Sequence, residues 1–119
     1  MDIEKKRYKR LPVWQKADEM AYHVYVETKK FPAEELYGLT SQLRRAALSV
    51  PTNIVEGHAR QGEKILKQFC NMALGSLAEV EYLLEFCLKV GLFNNSVHET
   101  LGSFRDEVGR LLWKFYRGL

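Results

Sequence analysis

The sequence predicts an all-α protein, an up-down-up-down four-helix bundle, and three observations carry that prediction. Apolar residues recur at i, i+3, i+4 and i+7 in four stretches, proline or glycine punctuates the gaps, and the gaps are short. Short connections make consecutive helices antiparallel neighbours. The 119 residues fit a single domain, 1–119 with a basic N-terminal arm at 1–11, and 46% hydrophobic residues suffice for a core without metal or disulfide staples.

The first helix is expected near Pro12, a residue suited to a first helical turn, with Trp14, Ala17, Ala21, Val24, Tyr25 and Thr28 on its apolar face. It should stop before Phe31-Pro32, because the residue preceding a proline is pushed out of helical geometry. The second runs from about Leu39 to about His58, capped by Thr40 or Ser41, with Leu43, Ala46, Ala47, Val50 and Ile54 as its stripe. Pro51 lies inside it, and a proline there removes a backbone donor and crowds the preceding turn. Because the periodicity stays in phase through Ile54 and Gly57, a kink is expected rather than a break.

The third helix opens after Gly62 and continues to about Val90, where Gly91 offers a left-handed stop. Its inner face reads Ile65, Leu66, Phe69, Ala73, Ser76, Val80, Leu83, Leu84 and Cys87. In the fourth, Ser96 and Glu99 fit a capping box, and Val97, Leu101, Phe104, Val108, Leu111, Leu112 and Phe115 point inward. Both late helices carry a second, partly apolar flank: Gly75, Tyr82 and Phe86 on one, and Gly102, Gly109, Trp113 and Tyr116 on the other. A helix with apolar residues on two sides has two partners, so self-association is expected through these flanks.

Charge is more informative located than summed. Lys5, Lys6, Arg7, Lys9 and Arg10 oppose only Asp2 and Glu4, which accounts for the whole net charge of +3. The remaining chain balances 13 basic against 13 acidic residues, so the excess sits on the arm. An arm of this kind either seeks phosphates or frays as a solvated terminus.

Several classes of chemistry are disfavoured. No apolar run approaches the roughly 20 residues of a membrane span, and no apolar segment follows the basic start as in a secretory signal, so a cytoplasmic protein is expected. Cys70 and Cys87 fall on one helix about 25 Å apart, too far to pair, and read as buried hydrophobes. Glu-x-x-His, His-Glu-x-x-His and Cys-x-x-Cys are all missing, which removes the di-iron and zinc motifs. The glycine-flanked run Glu56 to Gly62 follows no strand and is neither a P-loop nor a dinucleotide fingerprint. No catalytic residue, metal or cofactor is expected.

One polar arc stands out. Gln42, Arg45, Ser49, Thr52, Asn53, Glu56 and Arg60 gather opposite the apolar stripe of the second helix. Either they form an ordinary solvent face, or Glu56 and an arginine make a charge-assisted contact that fixes the following corner or a subunit boundary. Asn53 and Glu56 are the structural polar candidates.

These residues also carry a resemblance. Leu43-Arg44-Arg45-Ala46-Ala47, then Ser49-Val50-Pro51-Thr52-Asn53-Ile54-Val55-Glu56-Gly57 and Arg60, resemble the signature of the 23S ribosomal RNA intervening-sequence protein family, a four helix bundle protein group. Phe69, Ala73, Gly75-Ser76-Leu77-Ala78-Glu79 and Glu81 agree with it, as do Trp14-Gln15-Lys16-Ala17 and the Phe31-Pro32 to Tyr37-Gly38-Leu39 connector. The resemblance spans essentially the whole chain. It implies a ring-like homopentamer, similar to the accessory variability determinants of diversity-generating retroelements, which work with a reverse transcriptase and bind nucleic acid. Valine at Val50 and Val55, where isoleucine and alanine are more usual, leaves the arc intact.

The expectation is therefore a non-enzymatic homopentamer that binds RNA or another nucleic acid and partners a reverse transcriptase. Lys5, Lys6, Arg7, Lys9 and Arg10 are the first phosphate-binding candidates, followed by Arg44, Arg45, Arg60, Lys64 and Lys67. Gly75, Tyr82, Phe86, Gly102, Gly109 and Trp113 are the expected oligomer contacts. Lys114 and Arg117 are further additions, although the helix dipole alone accounts for cations at that end. The rival is a structural scaffold that binds a protein partner without nucleic acid.

Overall fold

A computed structural model describes residues 7–119. A 3-10 turn, Arg7–Arg10, leads into α1, Pro12–Thr28. A 3-10 turn at Ala33–Glu35 and a π-helical turn at Leu36–Thr40 then enter α2, Ser41–Ala59, followed by α3, Glu63–Lys89, and α4, Asn95–Arg117. Among the described residues there are four α-helices and no strands. Helix α1 packs against α2 and α4, and α3 packs against the same two. With short links between consecutive helices, that neighbourhood is a closed square of antiparallel helices.

The core is the shared interior of that square. Met20 and Val24 of α1, Leu43, Val50 and Ile54 of α2, Leu77, Val80 and Leu84 of α3, and Leu101, Val108 and Leu112 of α4 are all fully buried. Each fully buried aliphatic side chain contributes about 1.5–3 kcal/mol. Some assignments from periodicity change: Tyr25 and Ile65 stay at the surface, while Met20 and Leu77 enter the core, and Cys70 is buried as expected. Among the described residues no helix is long and apolar enough to cross a membrane.

The predicted stops hold where they rest on backbone restriction. Pro12 occupies the first turn of α1, and Gly62 and Gly91, with φ of 101° and 84°, flank α3. Predicted caps fare differently. Thr40 is helical and buried rather than an N-cap, and the Glu35 carboxylate accepts the Leu39 N–H at 3.3 Å instead. The π-turn explains the shift, because it extends helical backbone ahead of Ser41 while Gly38, at φ −110° and ψ −115°, absorbs the misfit. At α4 the cap is Asn94, whose Oδ1 accepts the Val97 N–H at 2.8 Å, so Ser96 lies inside the first turn.

Helix α2 runs through Pro51 as one element. Immediately after the proline, Thr52 Oγ1 donates to the Leu48 carbonyl at 2.8 Å and Asn53 Nδ2 to the Ser49 carbonyl at 2.9 Å. These bonds reinforce the turn where the backbone ladder lacks one donor. Gly57 then permits a close corner: a Cβ there would lie 2.7 Å from Phe69 Cβ.

Candidate nucleic-acid interface

Antiparallel packing places the start of α1, the end of α2, the start of α3 and the end of α4 at one end of the bundle. The arm joins them. Tyr8 packs edge-on against Trp14 at 5.0 Å and His58 at 6.4 Å, and Gln15 Nε2 donates to the Lys9 carbonyl at 2.8 Å. Residues 7–14, 55–67 and 112–119 thereby bring together Arg7, Lys9, Arg10, Arg60, Lys64, Lys67, Lys114 and Arg117, against only Glu56 and Glu63. The other described residues hold eight basic and eleven acidic side chains. A body that is neutral along the sequence is polarised in space.

Three of the cations at this end lie against rings. Lys67 Nζ lies 5.0 Å from the Tyr116 ring centre, and the Arg60 and Arg117 guanidinium carbons lie 5.1 Å from Phe69 and 5.8 Å from Trp113. Among the described residues ion pairs join Lys16 with Glu19 and Glu107, Lys30 with Glu27, and Arg105 with Glu81 and Asp106, all outside these three segments. Lys64 also sits in the first turn of α3, where the helix dipole disfavours a cation. Local helix stability does not account for it.

Not every predicted site residue joins this end. Lys5 and Lys6 lie outside the described residues. Arg44 and Arg45 belong to the far end, 16 and 15 residues before Arg60 and so about 22–24 Å away along α2. Arg44 holds the fold: its Nε donates to Thr28 Oγ1 at 2.8 Å, its Nη2 to the Tyr25 carbonyl at 3.3 Å, and its guanidinium covers the Tyr25 ring at 4.3 Å. Thr28, buried, in turn donates to the Val24 carbonyl at 2.8 Å. Arg45 is exposed beside Gln42, Ser49, Ser76 and Glu79 in a polar groove between α2 and α3.

The expected Glu56 to arginine contact is not formed within the described chain. Glu56 faces solvent near the end of α2, and the nearest candidate, Arg60, rests on Phe69 instead. Neutral groups make the α2 to α3 link: Ser49 Oγ and Ser76 Oγ are 2.8 Å apart, and Asn53 Nδ2 donates to Ser49 Oγ at 3.0 Å. Asn53 thus supports the α2 to α3 link through Ser49, while Glu56 makes no ion pair with an arginine among the described residues.

The predicted oligomer contacts fall on two faces rather than one. Gly75, Tyr82 and Phe86 share a stripe of α3 with Glu79, which lies on the α2 side. On α4, Gly102, Gly109 and Trp113 lie toward α3, and a Cβ at Gly109 would meet Leu77 Cδ2 at 3.6 Å. Lys67 opposite Tyr116 and Glu81 opposite Arg105 bracket the register, so Trp113 is level with about residues 70–73 of α3 and about 14–18 Å from Tyr82 along the axis. Tyr82 and Trp113 are both widely exposed, at 61% and 50%.

Lys114 and Arg117 gain a second meaning from topology. Any antiparallel bundle sets the last turn of α4 beside the first turn of α3, which was the available signal for joining them to Lys64 and Lys67. The cysteines are accounted for by burial, which pushes both thiols up to about 11 and keeps them protonated at neutral pH.

The fold and this end together define a helical-bundle protein with a polarised cationic surface. Residues 9–114 match the family described as 23S rRNA-intervening sequence protein, and the chain belongs to that family. A crystal structure from Bacteroides thetaiotaomicron, of a protein with unknown function from the S23 ribosomal protein family, is similar in fold. It is 22% identical, with 88% of this chain and 95% of that one covered and a TM-score of 0.81. No curated protein matches the chain.

Proposed function

We propose that this chain is a non-enzymatic, self-associating protein that binds RNA through phosphate contacts at its cationic end. The observation that carries the reading is the convergence of eight cations and only two carboxylates from three separated segments. Lys9, Arg10, Arg60, Lys64, Lys67, Lys114 and Arg117 make no ion pair with a described carboxylate, so a polyanion need not displace one. The family's name, with its reference to ribosomal RNA, is consistent with that polyanion. Assembly as a homopentamer and partnership with a reverse transcriptase complete the reading and rest on the resemblance. Exposed Tyr82 supports self-association, and several arms on one particle would raise avidity through effective concentration.

A salt titration tests the reading. Affinity for RNA should fall log-linearly with salt, and replacing Arg60, Lys64 and Lys67 together by glutamine should flatten the slope by about 0.7–0.9 per lost contact. Deleting residues 1–10 should add to that loss. Absence of RNA binding at low salt overturns the reading, and salt-insensitive binding to a protein partner would favour the scaffold in its place.

A further inference from the structure

Between α3 and α4 runs a shallow groove of about 500 Å³ that the phosphate-binding reading leaves unused. Its floor is apolar, made by Leu74 and Leu77, and Gly109 keeps it low by presenting no side chain. Trp113 forms one wall, with half of its surface open to solvent. Arg110 and Arg105 line the remainder. Arg105 is committed to Glu81 at 3.1 Å and Asp106 at 3.2 Å, yet its Nε–H is buried without an acceptor. Arg110 is exposed and makes no ion pair among the described residues.

The groove opens toward the cationic end. Trp113 stacks beside Tyr116, with centroids 5.7 Å apart and planes 20° apart, and Tyr116 carries Lys67 on its face. Arg110, Trp113 and Arg117 stand at i, i+3 and i+7, one stripe on α4, and the Arg117 guanidinium carbon lies 5.8 Å from the indole centre. A flat exposed ring flanked by cations, beside an apolar floor, complements a ligand that alternates flat rings with anionic groups. Single-stranded nucleic acid has that chemistry, whereas the bases of a continuous duplex are stacked and paired within it and present only phosphates.

We propose that this groove receives an unpaired base of the bound RNA, which takes the place of the Arg117 guanidinium against the Trp113 indole while Arg117 turns, with Arg110, to the flanking phosphates. The inference rests on the cationic end being the RNA-binding surface and assigns the part of the RNA recognised there: a loop, bulge or free end. It makes Trp113 a ligand contact rather than the subunit contact expected from its flank.

The test compares the full chain with Trp113→Leu and Trp113→Phe, using an oligouridylate of about ten nucleotides, an RNA duplex of similar length and inorganic polyphosphate. Trp113→Leu should weaken oligouridylate binding by about 5- to 100-fold, the range expected for losing a stacked base, and Trp113→Phe should restore most of it. Duplex and polyphosphate affinities should stay within about two-fold, because the phosphate contacts remain. Particle mass and thermal midpoint should not move. Unchanged oligouridylate affinity, an equal loss toward polyphosphate, or a fall in particle mass overturns the groove assignment while the cationic end stands. Failure of all three polyanions to bind at low salt overturns both.

Discussion

The two ends of the bundle are built on different physics. At the end where α1 meets α2 and α3 meets α4, polar groups satisfy helix termini: Glu35 on Leu39, Asn94 on Val97, and Arg44 on Thr28 and the Tyr25 carbonyl. Phe31 and Phe93, 5.0 Å apart, close the gap between the two connections. At the opposite end cations outnumber carboxylates, rest on aromatic faces, and include a lysine placed against the dipole of α3. One end is organised to finish the fold. The other carries charge that the fold does not require, and local rules broken without a structural return are where function is expected.

Substitutions can break that contrast or sharpen it. The largest effect is expected from replacing Arg60, Lys64 and Lys67 together by glutamine, which should weaken RNA binding by about 100-fold near physiological salt. The same variant should keep its urea midpoint or gain slightly, since mutual repulsion and an unfavourable dipole contact are relieved. A large loss of stability would show that these cations do hold the bundle.

Gly57→Ala comes next. Its new methyl would meet Phe69 Cβ at 2.7 Å, so unfolding in urea should show a loss of about 1–3 kcal/mol. A neutral result would mean that α2 and α3 can part at this corner without cost. Arg44→Met should cost about 1–2 kcal/mol by removing hydrogen bonds to Thr28 and Tyr25, with RNA affinity unchanged. Arg45→Met, one residue on, should change stability little, and equal effects from the two would erase the distinction drawn between them.

The smallest effect concerns pH. Both thiols are raised from 9.0 to about 11 by burial, chiefly through lost hydration and, for Cys87, with the Glu35 charge adding to it. The folded state therefore keeps protons that the unfolded state releases, so this contribution is complete below about pH 9 and declines as pH rises toward 11. Replacing Cys70 and Cys87 by alanine should flatten the alkaline fall in urea midpoint, measured against the parent chain. In the native state both should resist thiol reagents at neutral pH.

What the sequence disclosed and what it withheld divide along physical lines. Helix limits set by proline and glycine were readable because those residues restrict or free the backbone wherever they occur: Pro12, Pro32, Gly62 and Gly91 each mark a real boundary. The apolar stripes of α2 and α4 were readable from periodicity. Caps were not, because Glu35 and Asn94 compete with equally suitable neighbours, and only the local path decides which oxygen reaches an N–H. The hydrogen bonds of Arg44 were not readable either, since nothing in its neighbours reveals that Thr28 stands beside it. The members of the cationic end were all among the basic residues singled out, but their convergence was not readable. They belong to three segments that are near neutral in aggregate with the rest of the body, and only the antiparallel order of helices adds them together.

That addition gives the arm's contact with Trp14 and His58 a consequence for timing. While the chain is being made, its first basic residues emerge long before Lys114 and Arg117, and the four helices must close before the surface exists as a whole. On the proposed reading, affinity for a polyanion is switched on by completion of the bundle, and ligand binding should in turn favour the closed state by mass action. A ribosome surrounded by RNA would release a chain that acquires its full grip only after it has finished folding.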